Sequence, residues 1–359
     1  MATGASSLGA HATLKRARTG TGKTTALVEA VLQDVARGSR VLCCAASNVA
    51  VDNVVARLAA APRRVTVVRV GHPARLLPDV LSSSLEAHVL CSDSSRLAAD
   101  CRAEAKQLNR RLLKLGRRDY AERREIRGEL RRLAREERQR QGRAVAEVLA
   151  RAHVVCCTLT GVHGAALRGL EFDAAYVDEA AQALEVATWG ALLRARRAVL
   201  AGDHLQLPAT VLSEDAARRG LGVSLFERLH RRYGEAAAQM LSVQYRMHAA
   251  IMAWSSDALY GGRLEAHDSV AAHTLAELAA VPEGADSAAA DLDAALVLVD
   301  TAGCDMEEAQ EAEGGSRYNE GEARCVTALA GELVAAGLPA AVVGVITPYS
   351  AQRGRCDCA

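Results

Sequence analysis

Gly20, Thr21, Gly22, Lys23, Thr24 and Thr25 stand together ahead of the apolar run Ala26, Leu27, Val28, Ala30, Val31 and Leu32. Two glycines let successive backbone N–H groups converge on one anion, and a helix starting here turns its positive end to the same point. Lys23 then reaches the β- and γ-phosphates of a nucleotide, and the Thr24 hydroxyl reaches Mg²⁺. Such a loop requires an acid at the end of another strand. YVDEA supplies it, with Asp178 closing an apolar run and Glu179 beside it. Asp178 holds Mg²⁺ through its water shell in this reading, and Glu179 polarises the attacking water. A third stretch, LAGDHLQLPAT, carries Gly202, Asp203 and Gln206. Gln206 can orient water or sense a γ-phosphate, whereas Asp203 also reads as a polar turn before Pro208. The glycine that opens such a loop is replaced by Ala17. If that position needs positive φ, alanine costs roughly 1–2 kcal/mol, about tenfold in affinity.

These residues need a sheet to hang from. Apolar runs at 40–46, 64–70, 153–160, 172–180 and 197–203 alternate with helix-length segments and read as strands of a mainly parallel α/β sheet. Long charged helices at about 85–150 interrupt that rhythm as a helical insertion. A second α/β unit starts after about residue 240, with strands expected at 295–300 and 340–347 and an acidic, glycine-containing loop at 305–323. The expected domains are therefore 19–240, with the insertion, and an incomplete second domain at 241–359. Residues 1–18 read as unstructured or misassigned, with no strand ahead of the phosphate loop, although such a loop needs one. Both ends look abrupt, as an incomplete chain would.

With 359 residues the chain has room for two domains. Half the residues are hydrophobic but only two are Phe and two Trp, so Ala, Val and Leu must build the cores. Net charge is +1, which neither requires nor excludes a nucleic acid. Between about 102 and 143 basic side chains outnumber acidic ones, which fits a solvated helical hairpin or a basic arm against a phosphate backbone. The ten cysteines include the pairs Cys43–Cys44 and Cys156–Cys157 inside apolar runs, where cysteine packs as a small hydrophobe. No zinc spacing is present, and a reducing compartment fits. No secretory segment or membrane-length apolar run is evident, so a soluble chain with no membrane partner is expected. His72 and His248 lack metal-ligand spacing and read as packing or hydrogen-bonding residues.

The strand ends, taken with VLCCAASNVAVDNVVARL, RVGHPARLL, VDEAAQALE, SVQYRMHAAIMAWSSDALY, LVDTAGC and VITPYSAQ, resemble the superfamily 1 helicases of the nonsense-mediated-decay helicase group, the SMUBP type in particular. The resemblance runs from about Thr19 to Gln352. It implies a P-loop NTPase of two RecA-like domains, the second partial here, with ATP and Mg²⁺ between them and 5′ to 3′ movement on single-stranded RNA or DNA. By matching position, Gly20 to Thr25 bind phosphates, Thr24 and Asp178 bind the metal, and Glu179, Gln206 and Arg246 are catalytic, Arg246 as an arginine finger. Tyr245 lies near the adenine and Glu322 at the ribose.

Ser47, Asn48, Thr158 and Thr160 follow strands, where hydroxyls, amides and backbone N–H groups can hold phosphates, although such residues also serve as helix caps. Thr347, Pro348 and Tyr349 take the equivalent role in the second domain, with Tyr349 able to stack on a base. A ribosome or other ribonucleoprotein is a further partner, the location cytoplasmic or nuclear, and no oligomer is implied. The chain departs from the group at Ala17, at Arg18 and Thr19 where prolines are usual, and after ITPYSAQ, where later motifs do not follow. A nucleotide-binding module that unwinds nothing is the competing expectation. The residues do not separate RNA from DNA, since contacts to the 2′-hydroxyl are not legible in them.

Overall fold

The structure, a computed structural model, describes residues 12–17, 20–116, 119–277, 294–312 and 315–357, without the side chains of 12–17, 93–96 and 357. Internal contacts divide the chain between Leu241 and Ser242. The first unit runs β1 (Ala12–Ala17), α1 (Lys23–Ala36), β2 (Val41–Ala45), α2 (Asn48–Ala59), β3 (Val67–Arg69), α3 (Leu85–Leu90), α4 (Asp93–Lys114) and α5 (Tyr120–Arg151). It continues with β4 (Val154–Thr158), β5 (Phe172–Asp178), α6 (Glu185–Leu192), β6 (Ala195–Gly202), α7 (Glu214–Arg218), α8 (Leu225–Tyr233) and β7 (Ala238–Leu241).

The seven strands make one sheet, ordered β3-β4-β2-β5-β6-β1-β7, with every pairing parallel. Parallel strands bring all their carboxyl ends to one edge, where ligands of open α/β sheets bind. That edge collects the segments after β1, β2, β4, β5 and β6, and hence nearly every polar residue singled out in this half of the sequence.

Five strands coincide with the apolar runs, although β3 is confined to Val67–Arg69. The segment ahead of the loop differs from expectation: residues 12–17 form β1, paired with β6 on one side and β7 on the other. ATLKRA has a weak strand signal of its own, and backbone pairing from two neighbours overrides it. Ala17 is a strand residue in register with Leu241, so the left-handed strain considered for alanine there does not arise. Residues 1–11, 18 and 19 lie outside the described residues.

Strand side chains alternate between the two faces. Cys43 and Cys156 join α1 and α2 in one apolar cluster, and Cys44 and Cys157 join Leu149, Ala191 and Phe226 in the other. Register places Cys43 opposite Cys156 and Cys44 opposite Cys157, and the Cys44 and Cys157 sulfurs lie 3.8 Å apart. All four thiols are free and buried, the small-hydrophobe role expected of them.

The insertion is a two-helix arm. Ala98 and Cys101 of α4 and Ile126, Leu133 and Ala144 of α5 are buried apolar positions of the arm, and Leu149 near the end of α5 is buried in a cluster against the sheet. Cross-links Arg111–Glu122 and Arg102–Glu137 are solvent-exposed ion pairs, which contribute little to stability next to that apolar seam.

The second unit contains β8 (Val243–Gln244) parallel to β9 (Glu265–Ala266), α9 (Ala249–Tyr260), α10 (Asp268–Ala271), the hairpin of β10 (Ala309–Gln310) and β11 (Arg317–Tyr318), α11 (Glu320–Ala335) and α12 (Ser350–Asp357). The segment 305–323 therefore holds a short hairpin and the start of α11 rather than a plain loop. The strands expected at 295–300 and 340–347 are not formed. Both runs lie outside any ladder, with Leu298 90 % and Ile346 97 % exposed. Residues of high strand propensity make a strand only where a neighbour pairs and covers them, and none among the described residues does. Among the described residues no helix is long and apolar enough to cross a membrane.

Burial and thiol–thiol contact should silence the central cysteines. The Cys43 thiol is pushed well above its usual range by its hydrogen bond with Cys156 and by burial, and the Cys44 thiol by burial and then by Cys157. A raised pKa leaves little thiolate to react. Under native conditions iodoacetamide should label exposed Cys91 and Cys304 and leave Cys43, Cys44, Cys156 and Cys157 unmodified until the chain is unfolded, as peptide mass spectrometry can read.

Candidate nucleotide site and nucleic-acid face

The loop after β1 turns on two left-handed glycines, Gly20 at φ 86° and Gly22 at φ 75°. Gly22 is the N-cap of α1, so the helix opens on Lys23 with its first amides free of side-chain caps. A Cβ at Gly22 would sit in a conformation that L side chains rarely adopt. Lys23 is buried, and its ammonium lies 2.8 Å from Glu179 Oε1. Thr24 donates its hydroxyl to Asp178 Oδ2 at 2.9 Å. Thr25 accepts from Arg57 Nη1 at 2.9 Å, tying the first turn of α1 to α2.

The opposite wall is the end of β5. Burial pushes the Asp178 carboxyl above its usual range and Glu179 adds to this, while Lys23, the Thr24 hydroxyl and the Glu179 amide pull it back. Glu179 leaves the strand in the left-handed region at φ 49°, with its N–H bonded to Asp178 Oδ1 at 3.0 Å. A non-glycine residue with positive φ is uncommon, and such strain gathers at functional sites. On β6, Gly202 passes so close to the turn after Glu179 that an added Cβ would meet the Ala181 nitrogen at 2.8 Å. Glycine there lets β6 deliver buried Asp203 to the same edge. Gln206 donates from Nε2 to Asp203 Oδ2 at 2.8 Å, so Asp203 anchors the turn that carries it.

The donor set fits a nucleotide with a hard divalent cation. Glycine-freed amides at a helix N-terminus and an ammonium suit phosphates, and a hydroxyl beside a carboxylate supplies two oxygen donors of the kind Mg²⁺ takes alongside phosphate oxygens. Thr24 and Asp178 are the residues that would hold the metal. Gly20, Gly22, Lys23, Thr24, Asp178 and Glu179 are thus brought together, whereas Thr21 is buried in the loop.

On the remainder of the edge the sequence-based roles separate. Ser47 caps α2 by accepting from the Ala50 amide at 3.2 Å. Asn48 gives its side-chain carbonyl to Arg69 Nη2 at 2.9 Å. Thr158 accepts from the Gly161 amide at 3.0 Å, and Thr160 is exposed. Sequence reasoning missed Arg69 itself. It is fully buried, donates from Nε to Asp52 Oδ1 at 2.8 Å and from Nη1 to the Val70 carbonyl at 2.6 Å. Asp52 also accepts from the Leu77 amide at 2.9 Å. The available signals were an arginine inside the apolar run RVTVVRV and an aspartate on the apolar face of VAVDNVV.

In the second unit, Tyr245 lies against His267 with ring centroids 4.4 Å apart, and Arg246 is exposed with no ion pair among the described residues. A further missed residue, buried Gln244, clasps this turn: its Oε1 accepts from the Arg246 and Met247 amides at 2.8 and 2.9 Å, and its Nε2 donates to the Met247 carbonyl. Glu322 accepts from Thr301 at 3.1 Å. Thr347 accepts from the Tyr349 amide at 3.3 Å, just ahead of α12, with Pro348 and Tyr349 exposed. His72 and His248 accept from the Ala74 and Ala250 amides as caps, the hydrogen-bonding role expected of them.

An all-parallel sheet with a glycine-opened helix facing a strand-terminal acid pair defines a P-loop NTPase. Residues 6–214 match a family described as AAA domain, and residues 221–356 match a second family of the same description. The chain belongs to this AAA-domain family, and within it to the SMUBP-type superfamily 1 helicases. It is similar to the DNA-binding protein SMUBP-2 of Rattus norvegicus, with 44% identity over 337 residues covering 93% of this chain and 33% of that protein. It is 37% identical to the DNA polymerase alpha-associated DNA helicase A of Schizosaccharomyces pombe, over 93% of this chain and 49% of that protein. An uncharacterized ATP-dependent helicase of Methanocaldococcus jannaschii is 30% identical over 93% of this chain and 54% of its own length. The chain thus spans about a third to a half of the length of these relatives.

Removing one partner from a buried ion pair costs about 3–5 kcal/mol, because the other charge is stranded. Asp52→Ala should therefore lower stability by about that amount in urea denaturation, against about 1 kcal/mol for uncapping α2 with Ser47→Ala. Replacing both Arg69 and Asp52 by apolar residues should recover part of the Asp52→Ala loss.

Proposed function

We propose that this chain is the ATPase part of a nucleic-acid helicase, converting ATP hydrolysis into 5′ to 3′ movement along single-stranded RNA or DNA. The observation that carries the reading is the paired contact of Lys23 with Glu179 and Thr24 with Asp178 at the mouth of α1. The relatives' names, a DNA-binding protein, a DNA helicase and an ATP-dependent helicase among them, support nucleic acid as the partner.

ATP is the substrate that brings the phosphoanhydride bond, and Mg²⁺, which Thr24 and Asp178 would hold, would neutralise charge on its phosphates. Lys23 then exchanges Glu179 for the phosphate oxygens. The Glu179 carboxylate, released from the ammonium but fixed in place by its left-handed backbone, takes the proton of the attacking water. Gln206 orients that water from the neighbouring strand end. Arg246 acts as the arginine finger, a role that suits an exposed guanidinium with no ion pair among the described residues, and stabilises charge developing on the transferred phosphoryl group. Tyr245 and Glu322 serve the adenine and ribose. Residues 19–240 and 241–359 act as two RecA-like domains, the second partial, whose closure shifts the grip on the strand.

Ser47, Asn48, Thr158 and Thr160 offer that grip in the first domain, and Thr347, Pro348 and Tyr349 in the second. In the first group the Asn48 amide group and the exposed Thr160 hydroxyl are the side-chain contacts, while Ser47 and Thr158 shape the loops whose amides face the phosphates. A ribonucleoprotein partner and a nuclear or cytoplasmic location accompany this reading. The second reading, a module that binds nucleotide without unwinding, is favoured by the two apolar runs of the second unit that join no ladder.

Steady-state ATP hydrolysis separates the two. A helicase motor should turn over several-fold faster when single-stranded RNA or DNA is added, and a binding module should not hydrolyse at all. Glu179→Gln should lower kcat by about 10²–10⁴ while nucleotide binding stays as tight or tighter, because Lys23 loses its competing partner. Lys23→Ala should lose nucleotide affinity. Undiminished turnover in Glu179→Gln would remove the base assignment.

A further inference from the structure

The outer face of α5 carries a line of arginines that the nucleotide chemistry does not use. Arg124, Arg127, Arg131, Arg135 and Arg138 are all exposed and recur at three- and four-residue steps. At 100° per residue they fall on the side of α5 turned away from its buried seam of Ile126, Leu133 and Ala144. Of the six acids of α5, Glu129 and Glu136 are paired with Arg132 and Arg140, Glu122 and Glu137 reach across to α4, and Glu125 and Glu147 fall on the flank of the helix rather than on the arginine line. None of the five arginines has an ion pair among the described residues. Arg131 and Arg135 instead donate from Nε to the carbonyls of Arg127 and Arg131, one turn back.

A helix normally mixes its surface charges, because like charges at i,i+4 repel. Five like charges on one face, with the acids sorted to another, make a concentrated positive line. Arg124 to Arg138 spans roughly 21 Å at 1.5 Å per residue, about six phosphates of one duplex strand at 3.4 Å each. Two further observations point to a polymer lying along this face. Gly128 and Gly142 sit on it, and nothing among the described residues occupies the space a Cβ would fill at either. Glycine inside a helix weakens it, and its use here leaves the surface low where a backbone can approach. The line also ends at a cleft of about 580 Å³ whose mostly apolar lining, Val145, Leu149 and Leu170 among it, is rimmed by Arg138 and Arg168. Arg168 belongs to the segment that follows β4, whose end carries Thr158 and Thr160.

We infer that the outer face of α5 is a second, sequence-independent binding site for the phosphate backbone of nucleic acid, leading along the arm to the carboxyl edge of the sheet. The inference rests on the nucleic-acid reading above and adds a site to it. Guanidinium groups bind phosphate oxygens in a forked geometry, and no base needs to be read for such a contact. Its energetic signature is release of counterions, so it is legible in the salt dependence of binding.

The experiment is fluorescence anisotropy with a labelled single-stranded oligonucleotide and a labelled duplex, titrated with the full chain between 50 and 200 mM salt. The variant carries Arg127→Gln, Arg131→Gln and Arg135→Gln together. Its melting temperature and its ATP hydrolysis without nucleic acid should match the parent, since the three side chains are exposed. The slope of log K against log salt should fall by about 3 on duplex and about 2 on single strand if each arginine holds one phosphate. A fall on one probe alone identifies which form lies on the arm. Replacing the same residues by lysine should keep the slope, because the charge remains. If the parent binds and the glutamine variant binds with the same slope on both probes, the arm site is overturned and the helicase reading stands. If the parent binds neither probe, both are overturned.

Discussion

The Lys23 ammonium and the Glu179 carboxylate are held 2.8 Å apart at the edge of the sheet, and neither charge sits well there alone. An ammonium taken out of water without a partner is costly, so the start of α1 and the end of β5 must be fixed relative to each other. The sheet order meets that requirement indirectly. β1, which launches the loop, is not hydrogen-bonded to β5. β6 lies between them and pairs in parallel with both. Gly202 then completes the arrangement by letting β6 pass beside the turn after Glu179 without a steric conflict.

A second polar network supports the neighbouring stretch of the edge. Arg69 joins Asp52, Asn48 and the Val70 carbonyl, and so links the first turns of α2 to the end of β3. Gly71 admits the guanidinium, since a Cβ there would lie 2.8 Å from Arg69 Nη1. Asn48 is therefore oriented from behind by a buried cation. The two networks meet through Arg57 of α2, which donates to Thr25 in the first turn of α1. Anything that moves α2 is consequently felt at the mouth of the phosphate loop.

Much of this was legible in the residues. The buried strands β2, β4, β5 and β6 announce themselves as apolar runs, and GTGKT with VDEA has few physical interpretations other than a phosphate loop and its metal acid. β1 was illegible because its stability comes from two neighbours rather than from ATLKRA, and β7 because AQML is too short to show a period. ALVLVD and AAVVGVIT erred the other way, since composition reports what a segment could do in a sheet and not whether a sheet is there. The Arg69 network was hidden because its partners are 17 and 21 residues away, beyond any local pattern. The left-handed backbone of Glu179 has no sequence signature at all, as glutamate is not a residue that usually marks positive φ.

That last feature bears on how this chain tolerates change. At φ 49° the backbone of position 179 favours glycine, asparagine or aspartate over glutamate. A procedure that ranked substitutions by backbone ease alone would select one of those residues here, and the chain would gain conformational ease as it lost the glutamate side chain that meets the Lys23 ammonium. The position marks a point where the contact with Lys23 and an unstrained backbone oppose each other within a single residue. Thermal robustness in variants of this sheet is therefore better sought on the outer helices than at its carboxyl edge.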